Sequence, residues 1–215
     1  LQTVDALVRR LEDLGANVLP VYSFSLKHNP EGDGKVNRTF SEILCDSEGK
    51  SRVHSIINTM GMSMTDLQQD GATFATGPQV DYLDQLNVPV IQGIFSTGKE
   101  SEWEESSLGL GPIDTAMSVA LPEFDGRIIT VPISFKEEVA SEANGRGGKM
   151  DARLQRNLPR PDRIDFLARL TVKWASLRLK PNSEKRIAII LSNYPTKDAR
   201  VGNAVGLDTP ASVIN

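Results

Sequence analysis

Residues 88–135 read VPVIQGIFSTGKESEWEESSLGLGPIDTAMSVALPEFDGRIITVPISF. The first eight, 88–95, are apolar on both faces of an extended chain. A half-exposed strand would alternate, so a two-sided apolar run predicts a strand of a parallel sheet covered on both sides by helices. Short helices are predicted over 100–107, carrying Trp103, and over 113–120. Residues 127–135, RIITVPISF, return as another strand. Strand, helix, helix and strand in that order predict an α/β fold.

The flanking sequence extends the pattern. Val4, Leu7, Val8 and Leu11 follow i, i+3, i+4, i+7, one helical face, with Gly15 as its C-terminal cap. Residues 17–22 and 54–58 read as two earlier strands. Residues 27–52 form a polar insertion with a short helix near 39–44, and 82–86 form a short helix capped by Asp81. Residues 136–158, with a Gly-Arg-Gly-Gly run, read as a flexible linker or loop. Pro161 opens a long helix, where its missing N–H costs nothing. Ile164, Leu167, Ala168, Thr171, Trp174 and Ala175 line one side of that helix, and Arg163, Arg169, Lys173 and Arg178 the other. Residues 187–191 read as a fully buried strand, followed by a Gly-rich loop and a helix near Thr209. The reading is a mainly parallel sheet flanked by helices, in Rossmann-like or flavodoxin-like layers. Its domains are an α/β unit over 1–135, a linker over 136–158, and the start of a second α/β unit over 159–215. The lack of an initiating Met and the late helix predict an internal piece of a longer polypeptide.

Composition excludes several classes. With 39% hydrophobic and 24% charged residues, the chain is ordinary for a globular domain. A net charge of −4 offers no basic field for nucleic acid or an anionic membrane. No apolar run approaches the roughly 20 residues of a membrane span. Cys45 is the single cysteine, so no intrachain disulfide forms, which agrees with a reducing, cytoplasmic setting. Cys45, His28 and His54 make no zinc spacing.

Residues 93–100, GIFSTGKE, match the G-x-x-x-x-G-K phosphate-loop pattern between a strand and a helix. The next residue should be the Ser or Thr that ligates Mg2+, yet it is Glu100, whose carboxylate repels a triphosphate. The expectation is a strand-to-helix turn and no nucleotide site.

Two blocks carry more. Residues 108–127, LGLGPIDTAMSVALPEFDGR, and 186–213, RIAIILSNYPTKDARVGNAVGLDTPASV, resemble the large, porphyrinoid-binding subunits of the ATP-dependent metal chelatases. The LSNYP and GLDTPAS elements are most similar to the CobN (cobaltochelatase) type, and VALPE-x-DG is shared with magnesium chelatase large subunits. The resemblance implies a subunit that binds a tetrapyrrole, here a corrinoid, and inserts Co2+ as substrate metal. Partner AAA+ subunits would carry ATP and Mg2+ and perform the hydrolysis, and the rest of the large subunit would complete the site. The implied reaction joins Co2+ and hydrogenobyrinic acid a,c-diamide, with ATP and water, to give cob(II)yrinic acid a,c-diamide, ADP and phosphate. The alternatives are Mg2+ insertion into protoporphyrin IX, or a non-catalytic docking module.

Within these blocks, Glu123 and Asp125 are the candidate catalytic carboxylates, able to meet a divalent cation or accept pyrrole protons. Arg127 would pair bidentately with substrate carboxylates. A structural reading stands beside this one: Pro122 ends a helix, Asp125-Gly126 reverses the chain and Arg127 opens a strand. In the second block Arg200, Asn203 and Asp208 are candidate substrate contacts, because the loop follows a strand's C-terminal end. There Asp208 or Thr209 would also cap the next helix. Trp103 and Trp174 would stack on a macrocycle or simply pack.

Overall fold

The computed structural model describes residues 2–22, 43–63, 86–139, 154–191, 202 and 208–214. The chain divides into two compact units, Leu1–Leu179 and Lys180–Asn215.

The first unit is an α/β fold around a four-stranded sheet of order β1-β2-β3-β4, with β1 Ile56–Asn58, β2 Val90–Phe95, β3 Ile128–Val139 and β4 Leu154–Pro159. Strands β1, β2 and β3 run parallel, and β4 closes the edge antiparallel to β3. Pro132 sits in the middle of β3, where it would break a regular ladder. The β2–β3 register shifts there, Gln92 facing Ile129 but Ile94 facing Pro132. A bulge is where a sheet tolerates proline.

Helix α1 (Gln2–Asp13) and helix α4 (Pro161–Leu179) cover one side of the sheet. Leu7 and Leu11 of α1 and Ile164, Leu167 and Ala168 of α4 meet Ile91 and Ile133 in one buried cluster. Helix α1 ends as its sequence predicts. Gly15 adopts a positive φ, and the N–H groups of Gly15 and Ala16 return to the Glu12 and Leu11 carbonyls, a Schellman cap. Trp174 lies off the buried side of α4 and is 37% exposed.

Helices α2 (Glu100–Glu105) and α3 connect β2 to β3. Helix α3 is α-helical over Pro112–Thr115, π-helical over Ala116–Ala120 and α-helical again over Leu121–Glu123. Pro122 therefore lies inside the last turn instead of ending the helix ahead of it. The Leu121 N–H reaches back five residues to Ala116 O. In that register Pro122, lacking an N–H, would have addressed Met117 O. That carbonyl instead accepts the Met62 N–H at 2.6 Å.

Four expectations change. Residues 136–158 are not simply a linker, because β3 runs on to Val139 and β4 begins at Leu154. Their polar composition is that of an edge hairpin, with Glu137 opposite Arg156. Charged residues are how edge strands avoid adding neighbours. The long helix belongs to the first unit, not a second one, because its apolar face completes the α1–sheet core. Residues 17–22 form no strand; Pro20 cannot donate to a ladder, and Tyr22 is 81% exposed. Residues 187–191 join no strand among the described residues, and Ile187, Ile189, Ile190 and Leu191 are exposed. Of the predicted helix over 82–86 only Leu86, helical and buried, is described; residues 82–85, most of the 27–52 insertion and the core of the linker, 140–153, lie outside the described residues.

The second unit contains a short 3-10 turn, Asn182–Glu184, and helix α5 (Thr209–Ile214). Asp208 caps α5 by accepting the Ala211 N–H at 3.0 Å. Thr209 Oγ1 donates to the Gly202 carbonyl.

Candidate functional site

The turn from α3 to β3 carries the densest polar chemistry among the described residues. Gly126, at φ +68°, lets the chain leave the helix through a second Schellman cap. Its N–H bonds Glu123 O at 3.0 Å, and the Arg127 N–H bonds Pro122 O at 3.4 Å. This geometry puts Asp125 and Arg127 on the same side of the turn, facing the sheet. Arg127 NH2 lies 2.6 Å from Asp125 Oδ2, and their side chains are 1% and 0% exposed. Ser63 Oγ donates to Asp125 Oδ1 at 2.6 Å. Arg127 NH1 donates to Gln92 Oε1 at 2.9 Å and to Met60 O at 3.0 Å. Gln92 Nε2 donates to the same Met60 carbonyl. One carboxylate and one guanidinium thus join the loop after β1, the middle of β2 and the start of β3.

Glu123 differs from Asp125 and Arg127: it is exposed at the end of α3. Asp208 is exposed and acts as the α5 cap. Arg200 and Asn203 lie outside the described residues. The structure therefore brings Asp125 and Arg127 together and turns Glu123 to solvent.

A second carboxylate sits at the C-terminal end of β2. Asp114, 4% exposed, accepts the Ser96 hydroxyl at 2.7 Å, the Thr97 N–H at 2.9 Å and the Thr97 hydroxyl at 2.7 Å. The Glu100 N–H at the start of α2 donates to Glu137 Oε1 at 3.0 Å, and Lys99 Nζ lies 3.3 Å from Glu138. The donors that a phosphate loop offers its ligand are here engaged by the protein's own carboxylates.

Beyond this loop, the 108–127 block turns apolar side chains outward: Leu108 is 90%, Ile113 70% and Phe124 47% exposed. Trp103, Glu104, Ser106, Ser107 and Gly109 line a shallow recess of about 530 Å3. Trp103 packs on Phe135 with ring centroids 5.2 Å apart. The guanidinium carbons of Arg160 and Arg163 lie 5.1 and 5.2 Å from the centroid of its ring, within cation–π range. Arg160 also reaches Glu104, Glu100 and Asp162. The Glu104 hydrogen bond leads the interactions that raise its pKa above the ordinary value.

Sequence reasoning missed Ser63, Gln92 and the role of Asp114. Asp114 stands in the diagnostic block, but its partners Ser96 and Thr97 belong to the motif read as a turn. Among the described residues no three His, Cys, Asp or Glu side chains group as a metal site. No helix among them is long and apolar enough to cross a membrane.

A mainly parallel α/β sheet with a carboxylate-locked loop and a buried Asp–Arg latch in the 108–127 block is the frame on which relatives can be compared. The chain matches the CobN/Magnesium Chelatase family over residues 1–215, and it belongs to that family. It is 39% identical to the aerobic cobaltochelatase subunit CobN of Pseudomonas aeruginosa, over 96% of this chain and 15% of that protein. It is 29% identical to the chloroplastic magnesium-chelatase subunit ChlH of Oryza sativa subsp. japonica, over 97% of this chain and 13% of that protein. The solved catalytic subunit of cobaltochelatase from Mycobacterium tuberculosis superposes with a TM-score of 0.74 at 32% identity, over 99% of this chain and 16% of that one. The chain thus spans about 15% of the length of the relatives it matches.

Proposed function

We propose that this chain is a segment of the large subunit of a metal chelatase that inserts Co2+ into hydrogenobyrinic acid a,c-diamide in cobalamin synthesis. The observation that carries this reading is its similarity to CobN, 39% identity against 29% for the magnesium-chelatase subunit over nearly the same residues. As a divalent cation enters a corrin ring, the inner ring N–H gives up its proton, and a nearby carboxylate can take it. Glu123 fits that role, because its side chain reaches solvent while Asp125 and Arg127 are sealed behind it. Asp125 and Arg127 then act by holding the turn that carries Glu123. In the first unit the exposed Leu108, Ile113 and Phe124 offer apolar surface to a macrocycle; in the second unit, taken by itself, Arg200, Asn203 and Asp208 are the residues suited to polar ring substituents.

ATP hydrolysis belongs to partner AAA+ subunits in this reading. The engagement of Thr97 by Asp114 and of the Glu100 N–H by Glu137 supports keeping nucleotide off the 93–100 loop. The setting is cytoplasmic, in keeping with the lone cysteine. The docking-module alternative is favoured by one observation, the complete burial of the Asp125–Arg127 pair.

The test is a titration of the full-length protein with hydrogenobyrinic acid a,c-diamide and with protoporphyrin IX, followed by absorbance. Metal insertion is then assayed with the ATPase partners, for wild type and Glu123→Gln. Preferred corrinoid binding, with slowed insertion at unchanged affinity in Glu123→Gln, supports the assignment. Preference for protoporphyrin IX moves it to magnesium. Full activity of Glu123→Gln removes Glu123 from the chemistry.

A further inference from the structure

We infer that residues 187–191 form an interior strand of a second, mainly parallel sheet whose neighbouring strands come from other parts of the same polypeptide. The run is Ile-Ala-Ile-Ile-Leu. In extended conformation Ile187, Ile189 and Leu191 point one way, Ala188 and Ile190 the other, so both faces are apolar. That is the pattern of a strand covered on both sides. An edge strand or a solvent-exposed connection carries charge or proline to prevent pairing, and these five residues have neither.

Among the described residues the run pairs with no strand. Ile187 is 83%, Ile189 63%, Ile190 91% and Leu191 43% exposed. An unpaired apolar segment with this β-propensity is an aggregation hazard unless something covers it. Helix α5 lies in the same unit as the run. Thr209 Oγ1 bonds the Gly202 carbonyl, and a Cβ on Gly202 would come within 2.7 Å of Thr209 Cγ2. A strand followed by a helix is the repeat of a parallel α/β sheet, and helix α5 follows the run in sequence.

The relatives supply the candidate. The Mycobacterium tuberculosis structure matches 99% of this chain with only 16% of its own. Most of such a polypeptide lies outside the matched region and is available to flank the run. A second copy of this chain is the competing occupant, and it would depend on concentration. The inference does not depend on the metal or the tetrapyrrole.

Hydrogen exchange read by mass spectrometry on peptides covering 186–191 tests it, in the full-length protein and in the 215-residue chain. Interior strand amides should exchange about a hundred-fold or more slowly in the full-length protein, since core strands open only with large segments. That slowing should not vary with protein concentration. Equally fast exchange in both proteins overturns the inference, and so does slowing in the short chain that grows with its concentration. Ile189→Pro in the full-length protein gives a second readout. A ladder strand loses a donor and the unfolding midpoint falls, whereas in an exposed connection the substitution leaves the midpoint unchanged and overturns the inference.

Discussion

Arg127 and Asp125 are two residues apart, and their guanidinium and carboxylate meet at 2.6 Å with both side chains sealed from water. A chain in β conformation would point both outward along one face. The Gly126 cap instead folds them back onto the sheet, where Ser63, Gln92 and the Met60 carbonyl complete the set. A buried pair of this kind is costly to break, because the surviving partner is left charged and uncompensated.

Replacing one partner, as in Arg127→Met or Asp125→Leu, should cost about 3–5 kcal/mol of stability. The double replacement should cost less than either alone. Urea unfolding of the four proteins measures this. If Arg127 serves chiefly as a ligand contact, its replacement instead weakens tetrapyrrole binding at unchanged stability.

Gly126→Ala should cost about 1–2 kcal/mol, the strain of a left-handed non-glycine residue. No heavy atom lies within 4 Å of the added Cβ, so the loss is purely conformational. Gly126→Asn should lose less, because Asn tolerates this region. Thermal unfolding of both variants tests the ordering.

At Gly93 the limit is space. A Cβ there would lie 3.1 Å from Leu167 Cδ2 and 3.2 Å from Ile133 Cδ1. Gly93→Ala should overpack the contact between β2 and α4 and cost about 1–3 kcal/mol. A variant as stable as wild type would mean that the helix shifts freely on the sheet.

Asp114→Ala should strand the Thr97 N–H and two hydroxyls, at about 1–3 kcal/mol for each donor left unpaired. Asp114→Asn keeps an acceptor and should lose less. Equilibrium dialysis with labelled ATP should find no binding to wild type; micromolar affinity that Lys99→Ala abolishes would restore the phosphate-loop reading.

Asp165 of α4 accepts from Arg169 and from Arg10 of α1. The Arg169 hydrogen bonds first, then that of Arg10, hold its pKa below the ordinary carboxylate value of 3.8. A depressed folded pKa gives a contribution that is present above the unfolded value and lost as pH falls through the folded one. Acidification below 3.8 should therefore loosen the α1–α4 contact. Asp165→Asn should reduce the acid dependence of unfolding between pH 2 and 5, and added salt should mimic the substitution at neutral pH.

Much of the fold was legible in short-range pattern. The two-sided apolar run at 88–95 announced a parallel strand, the i, i+3, i+4, i+7 spacing of Val4 to Leu11 announced α1, and the 108–127 block identified the family. Those signals need only neighbours in sequence. The polar 136–158 segment reads as a linker because an edge hairpin and a linker share a composition. The 17–22 and 187–191 runs carry strand-like residues, but a strand exists only where another supplies its hydrogen bonds. Glu123, Asp125 and Arg127 were singled out together, though nothing local says which of them faces water.

By itself, the sequence determined the helices' apolar faces, the glycines that end them, the α/β order and the family, because each depends on residue type at fixed spacing. Tertiary structure alone decided that Asp125 and Arg127 are sealed and Glu123 open, and that Asp114 fills the 93–100 loop. Those outcomes rest on contacts between residues as far apart as Ser63 and Asp125. Burial and hydrogen-bond partnership are properties of such contacts, and no local pattern encodes them.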